Sequence, residues 1–125
     1  MKFHKFTTDS PDFHVDGENL VWAISNQVFD DKITEMALSS CLIHFSDIKG
    51  KQHPMILSCS LVDANYMNYN GVICSGVSEF KNFFYKATNL EFWSLDCSHP
   101  RKVLFALRGI NAEKVKFANI TLALR

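Results

Sequence analysis

Five histidines and four cysteines are the residues of this sequence whose side chains could bind a metal ion. A structural zinc site brings together about four such ligands, and its usual sequence signs are closely spaced pairs such as CxxC or HxxxH. The sequence contains neither spacing. His44 lies between Ile43 and Phe45 in an apolar run, a position typical of an ordinary strand histidine. We therefore expect no metal site and no other cofactor.

Nucleophilic catalysis is the second kind of chemistry to consider. The densest polar cluster is Asp96-Cys97-Ser98-His99, but it lies between two apolar runs, where a turn explains it fully. A GxSxG motif is missing, and the five glycines are scattered singly, so no glycine-rich phosphate loop is present either. The sequence thus predicts a protein without catalytic residues, and an enzyme is the third-ranked function.

The first residues and the cysteines indicate the compartment in which the protein is made. The first residues, MKFHKFTTDSPDFHVD, are mixed and polar where a secretory signal needs an apolar segment. No stretch has the roughly 20 apolar residues of a membrane helix. We therefore expect cytoplasmic synthesis, no membrane span and free thiols at the four cysteines, with disulfides as the alternative; the cysteines are Cys41, Cys59, Cys74 and Cys97.

Charge is balanced overall but unevenly distributed. Residues 1–35 carry three lysines and seven carboxylates, whereas residues 98–125 carry six basic residues and one glutamate. A neutral total argues against dedicated nucleic-acid binding, which needs a dense basic face. The opposed ends could attract each other within one sheet or between copies; the alternative is that they are simply solvated strand edges and turns.

Short apolar runs separated by turn residues indicate β-strands throughout the chain. Residues 1–12 are expected to form an extended N-terminal arm with a turn at its end, followed by a short strand at Phe13–Val15 and a turn at Asp16–Asn19. Leu20, Trp22 and Ile24 then alternate with Val21, Ala23 and Ser25, which predicts a strand with one buried face.

The middle of the chain contains the one segment where a helix competes with a strand. Ile33–Phe45 has partly helical spacing, but its second half alternates strictly, so we predict a strand with a bulge. We expect a hairpin to Met55–Val62, then a loop at Asn65–Gly71 ending in an Asn-Gly turn. Further predicted strands complete the chain: Val72–Ser75, Glu79–Tyr85, Leu90–Leu95, Val103–Arg108 and Val115–Leu124.

The sequence thus contains eight to nine predicted strands in 125 residues, with no long helix between any two. This pattern predicts a single all-β domain over residues 1–125. The fold class is an antiparallel two-sheet β-sandwich of jelly-roll type. Three strands at the end of the chain, with Leu122 and Leu124 in the last of them, predict that the C-terminus lies in a sheet.

Aromatic residues are the strongest indication of binding. A domain of this size has a limited core in which to bury eleven Phe, three Tyr and two Trp. We therefore predict self-association as a homo-oligomer, such as a trimer, with interface residues Tyr66, Met67, Tyr69, Phe80, Phe83, Phe84 and Tyr85. The alternative is a small ligand- or glycan-binding sandwich, in which Tyr66, Tyr69 and Trp93 would form the binding platform.

Residues Leu90–Arg125, with LEFWSLD, KVLFALR and the final FANITLALR, resemble the close of small virion-type proteins encoded by Maverick/Polinton and adintovirus-like elements. In those proteins a similar strand, a polar turn, a hydrophobic strand and an FxNxTLxLR-like strand end a jelly roll. The resemblance implies a non-enzymatic structural subunit of penton, minor-capsid or fibre type. It also implies a location in the virion, with other structural proteins or a surface ligand as further partners.

Overall fold

The computed structural model describes residues 1–17, 19–24, 33–45, 53–62, 68–78, 82–94, 103–108 and 114–125, with the backbone alone for 53–62, 68–78, Asn82, Val103 and Arg108. These ranges contain ten strands and no α-helix. The strands are β1 (Lys2–Thr7), β2 (Phe13–Asp16), β3 (Asn19–Ile24), β4 (Glu35–Phe45), β5 (His53–Val62), β6 (Asn68–Ser78), β7 (Asn82–Lys86), β8 (Trp93–Ser94), β9 (Val103–Arg108) and β10 (Val115–Leu124).

Two antiparallel sheets make up the fold, which confirms the predicted all-β class. Sheet A has the strand order β1-β10-β4-β7, and the short β8 also pairs with β4. Sheet B has the order β2-β3-β9-β5-β6. No helix in the described ranges is long and apolar enough to cross a membrane.

The hydrophobic core lies between the two sheets and draws residues from both. Along β3, Leu20, Trp22 and Ile24 are all buried, as their alternation predicts, and they face the core across from sheet A. Side chains on alternate positions of a strand lie on the same face of the sheet. The other buried core residues are Phe6, Ile33, Met36, Leu38, Cys41, Ile43, Phe105, Leu107, Ala118, Ile120, Leu122 and Leu124.

The predicted bulge in the β4 region is present. In its pairing with β10, Thr121 lies opposite Ser40 but Leu122 lies opposite Leu38, so Ser39 is an extra residue. An inserted residue exchanges the two faces of a strand. Leu38 before the bulge and Cys41 after it can therefore both point into the core, although they are three positions apart.

The predicted turns near the N-terminus are also confirmed. The Ser10 amide donates to the Thr7 carbonyl at 3.0 Å and the Phe13 amide to the Ser10 carbonyl at 3.1 Å, which turns the chain between β1 and β2. Gly17, in the connection between β2 and β3, has φ +59°. That left-handed conformation costs glycine little, because glycine has no Cβ atom.

Two predictions about neighbouring strands are wrong. β4 and β5 do not form a hairpin: β4 belongs to sheet A, whereas β5 pairs with β6 and β9 in sheet B. The expected Asn-Gly turn is also absent, since Asn70 and Gly71 lie inside β6 opposite Ser60 and Cys59. The first error has a simple cause, because a short polar connection suits a crossing between sheets as well as a hairpin.

Both chain ends lie in sheet A. The expected extended arm over residues 1–12 includes β1, which pairs with β10 and buries Phe6; it is the one strand beyond the predicted count. The predicted strand Leu90–Leu95 is reduced to β8. At the other end, Arg125 accepts backbone hydrogen bonds from Thr34 and Glu35, so the prediction of a C-terminus tied into a sheet is confirmed.

Candidate association surface

Strand β7 separates three of the predicted interface aromatics onto two faces. Phe83 and Tyr85 are partly buried and pack against the core, whereas Phe84 between them is 64 % exposed. The register explains this difference, because Phe84 pairs with Leu42 and lies on the same face of sheet A as that residue. β7 therefore contributes one large apolar side chain to the surface and two to the interior.

The exposed side of sheet A, which we call the outer face, follows from the same register. Its members alternate with the core-facing residues of each strand. All of them except Phe3 pair with one another across β1, β10, β4 and β7, whereas Phe3 pairs with the buried Ala123. They are Phe3, Lys5, Thr7, Phe117, Asn119, Thr121, Ser40, Leu42, His44, Phe84 and Lys86.

The outer face mixes polar and apolar side chains on each strand. Asn119 and Leu42 are neighbours on the two central strands, whereas Phe84 lies on β7 and Phe3, 57 % exposed, lies on β1. Phe3 is not among the interface residues predicted from the sequence. Its only signal was a single aromatic residue within the polar run KFHK, which a short N-terminal arm explains equally well.

One aromatic contact lies within the outer face, on its two central strands. The rings of His44 and Phe117 meet edge to face, with centroids 6.1 Å apart, on neighbouring strands β4 and β10. Both side chains are half-buried. The predicted strand histidine is thus part of a packed surface pair.

A second contact fixes the corner of sheet A where the chain ends. The Arg125 guanidinium forms an ion pair with Glu35 and lies over the Phe92 ring, 3.7 Å from its centroid. Both charged side chains are partly exposed, and solvent screening keeps the contribution of such a pair small. Its structural effect is to hold residue 92 against the end of β10.

The other predicted site residues are only partly covered by the described ranges. Tyr66, Met67 and Phe80 lie outside them, and Tyr69 is placed by its backbone alone, in β6 opposite Leu61. Trp93 of the alternative glycan platform packs against the core from β8. The structure therefore places Phe84 on the surface and leaves the rest of the predicted interface as a prediction.

Residues that could bind a metal ion do not converge in the described part of the chain. No group of three or more His, Cys, Asp and Glu side chains there is arranged to hold a metal ion. Cys41 is fully buried in the core of sheet A. The His4 and Phe6 rings pack at a tilt of 40°, with centroids 4.6 Å apart. These two side chains take part in packing.

Comparison with known proteins gives no family assignment: no protein-family model matches the chain, and no curated protein is significantly similar to it.

Proposed function

We propose that this protein is a non-enzymatic assembly subunit that self-associates through the outer face of sheet A. The observation that carries the proposal is Phe84, which is 64 % exposed beside the half-buried Leu42. Burying apolar surface against another subunit contributes about 25 cal/mol per Å². An exposed aromatic side chain with polar residues beside it is a composition typical of an interface anchor.

We further propose that the sandwich has jelly-roll topology. Folding an antiparallel ribbon in half pairs its first strand with its last, its second with the one before the last, and so on inward. Four pairings support that pattern here: β1 with β10, β3 with β9, β4 with β7 and β5 with β6. β2 and β8, the two shortest strands, are then additions at the sheet margins.

A jelly roll occurs in capsid proteins, in lectins and in cupin enzymes, so topology alone does not decide between them. The proposal of a capsid or fibre-type subunit is supported by the apolar residues on the outer face together with the resemblance of residues 90–125 to virion-type proteins. The glycan-binding alternative lacks comparable support, because Trp93 packs against the core.

Sedimentation velocity over a range of concentrations tests this proposal. We expect the wild-type protein to associate and Phe84→Ser to lower the weight-average sedimentation coefficient. Leu104→Ser is the matched control, since Leu104 is 43 % exposed but lies on the opposite side of the molecule, in sheet B. A wild-type protein that stays monomeric, or a Phe84→Ser variant that associates as the wild type does, would contradict the proposal.

A further inference from the structure

The sandwich has an open edge where both sheets end on the same side. β1 is the edge strand of sheet A and β2 is the edge strand of sheet B, and residues 8–12 connect them. Trp22, on the strand next to β2, donates its indole N–H to the Thr7 carbonyl of β1 at 2.9 Å. The two edges therefore lie next to each other, one above the other.

Backbone hydrogen-bonding groups on β1 are available at this edge. Thr8 donates its N–H towards β10, whereas the Thr7 carbonyl faces the other way and accepts from Ser10. Backbone groups alternate in direction along a strand. Phe3 and Lys5 therefore direct their N–H and C=O groups away from β10, and the described part of the chain provides no backbone partner for them there.

β2 also directs backbone N–H and C=O groups away from its sheet, over a shorter length than β1. The Asp12 carbonyl accepts from the Ala23 amide of β3, while the Phe13 amide turns outward to the Ser10 carbonyl. By alternation, Val15 directs its backbone groups away from β3. An edge strand with free N–H and C=O groups is a template for pairing with another chain.

Side chains at this edge are apolar and of opposite charge on the two strands. Among the described residues, five large hydrophobic side chains are exposed, and three of them lie here: Met1, Phe3 and Val15. β1 carries the exposed Lys2 and Lys5, whereas β2 begins after Asp12 and ends at Asp16, both also exposed. None of these four charges has an ion-pair partner among the described residues.

We propose that the open edge formed by β1 and β2 is a second self-association contact, in which a two-fold axis parallel to the strands places β1 of one copy beside β2 of the other. Rotation about such an axis exchanges the upper and lower sheets. Each β1 then meets a β2, so both edges are covered and the lysines of one copy face the aspartates of the other.

Charge decides between this arrangement and its main competitor. A two-fold axis perpendicular to the sheets would place β1 beside a second β1, which brings Lys2 and Lys5 of one copy close to the same lysines of the other. Like charges directly opposite each other on adjacent strands are destabilising, and opposite charges are favourable.

Two charge-reversal variants test the contact by complementation. The acidic variant carries Lys2→Glu and Lys5→Glu, and the basic variant carries Asp12→Lys and Asp16→Lys. Both are made in the Phe84→Ser background, which removes the outer-face contact. Each variant alone opposes like charges at every β1–β2 contact, whereas an equimolar mixture restores opposite charges at both contacts of a heterodimer.

We expect the Phe84→Ser parent to form dimers, each charge-reversal variant to dimerise about tenfold or more weakly, and their mixture to recover dimers. Circular dichroism checks that the variants are folded; all four positions are exposed, and Gly17 rather than Asp16 provides the positive φ of the turn. A parent that is monomeric at all concentrations, variants that dimerise like the parent, or a mixture that stays monomeric would each overturn the proposal.

This inference rests on the proposed function only in taking another copy as the partner, and the two can fail separately. If Phe84→Ser leaves the wild-type association unchanged, the proposed outer-face contact is wrong. Mixing the two charge-reversal variants still tests the edge contact in that case. If Phe84→Ser reduces association fully to monomer, the outer-face contact stands and the edge contact is wrong.

Discussion

Neighbouring phenylalanines on β7 should respond in opposite ways to the same substitution. Phe83→Ser removes a ring packed against the core and should lower the free energy of unfolding by about 2–4 kcal/mol. Phe84→Ser replaces an exposed ring and should change it by no more than about 0.5 kcal/mol. Urea unfolding of both variants, at a concentration where the protein is monomeric, measures the difference. Equal losses would mean that the alternation along β7 is not as described.

Gly17 allows a backbone effect to be separated from a steric one. A Cβ atom at this position would meet no other atom within 4 Å, so Gly17→Ala introduces no clash. Its φ of +59° nevertheless disfavours alanine, and we expect a loss of about 1–2 kcal/mol in the free energy of unfolding.

Gly17→Asn is the matched control for this prediction, because asparagine tolerates the left-handed region better than alanine does. Thermal unfolding should rank the three proteins with the wild type most stable, Gly17→Asn intermediate and Gly17→Ala least stable. A Gly17→Ala variant as stable as the wild type would mean that the turn adopts a different conformation.

At the scale of the strands, the alternation of apolar and polar residues predicted the features that depend on local strand geometry. The buried face of β3 and the presence of a bulge within Ile33–Phe45 followed from apolar spacing, because a pleated strand with one side in the core needs every second residue apolar. The glycine and lysines of the connecting segment led to the assignment of β5 as the hairpin partner of β4, which is wrong. Partner choice depends on contacts between distant segments, and the connecting residues carry little information about it.

The residues of the candidate surface were likewise only partly predictable from the sequence. The cluster of aromatic residues at positions 80–85 was visible in the sequence, but strand register decides that Phe84 is exposed and Phe83 is not. Phe3 became a candidate only because β1 pairs with β10, which places it at the margin of the outer face. Identifying the surface residues of sheet A therefore required knowing that the first strand pairs with the last.

At the scale of the whole molecule, that pairing also determines how the protein should fold. β1 pairs with β10, so Lys2 lies opposite Leu124, and few strands pair with their immediate neighbours in sequence. Such non-local pairings slow folding, because the loops must close before the contacts can stabilise the chain. We expect refolding in the range of about milliseconds to seconds, measured by stopped-flow tryptophan fluorescence.

A substitution at one buried side chain should weaken the attachment of β1 to sheet A. Phe6 is the buried anchor of β1, and Phe6→Ala should lower the free energy of unfolding by about 3–5 kcal/mol. Phe3→Ala on the same strand is the matched control; its ring is largely exposed, so the loss should stay below about 1 kcal/mol. Because β1 can join the sheet only after β10 is in place, we expect Phe6→Ala mainly to accelerate unfolding and to leave the refolding rate nearly unchanged. A variant that instead refolds much more slowly, with an unchanged unfolding rate, would place the pairing of the two chain ends early in folding and contradict this order of events.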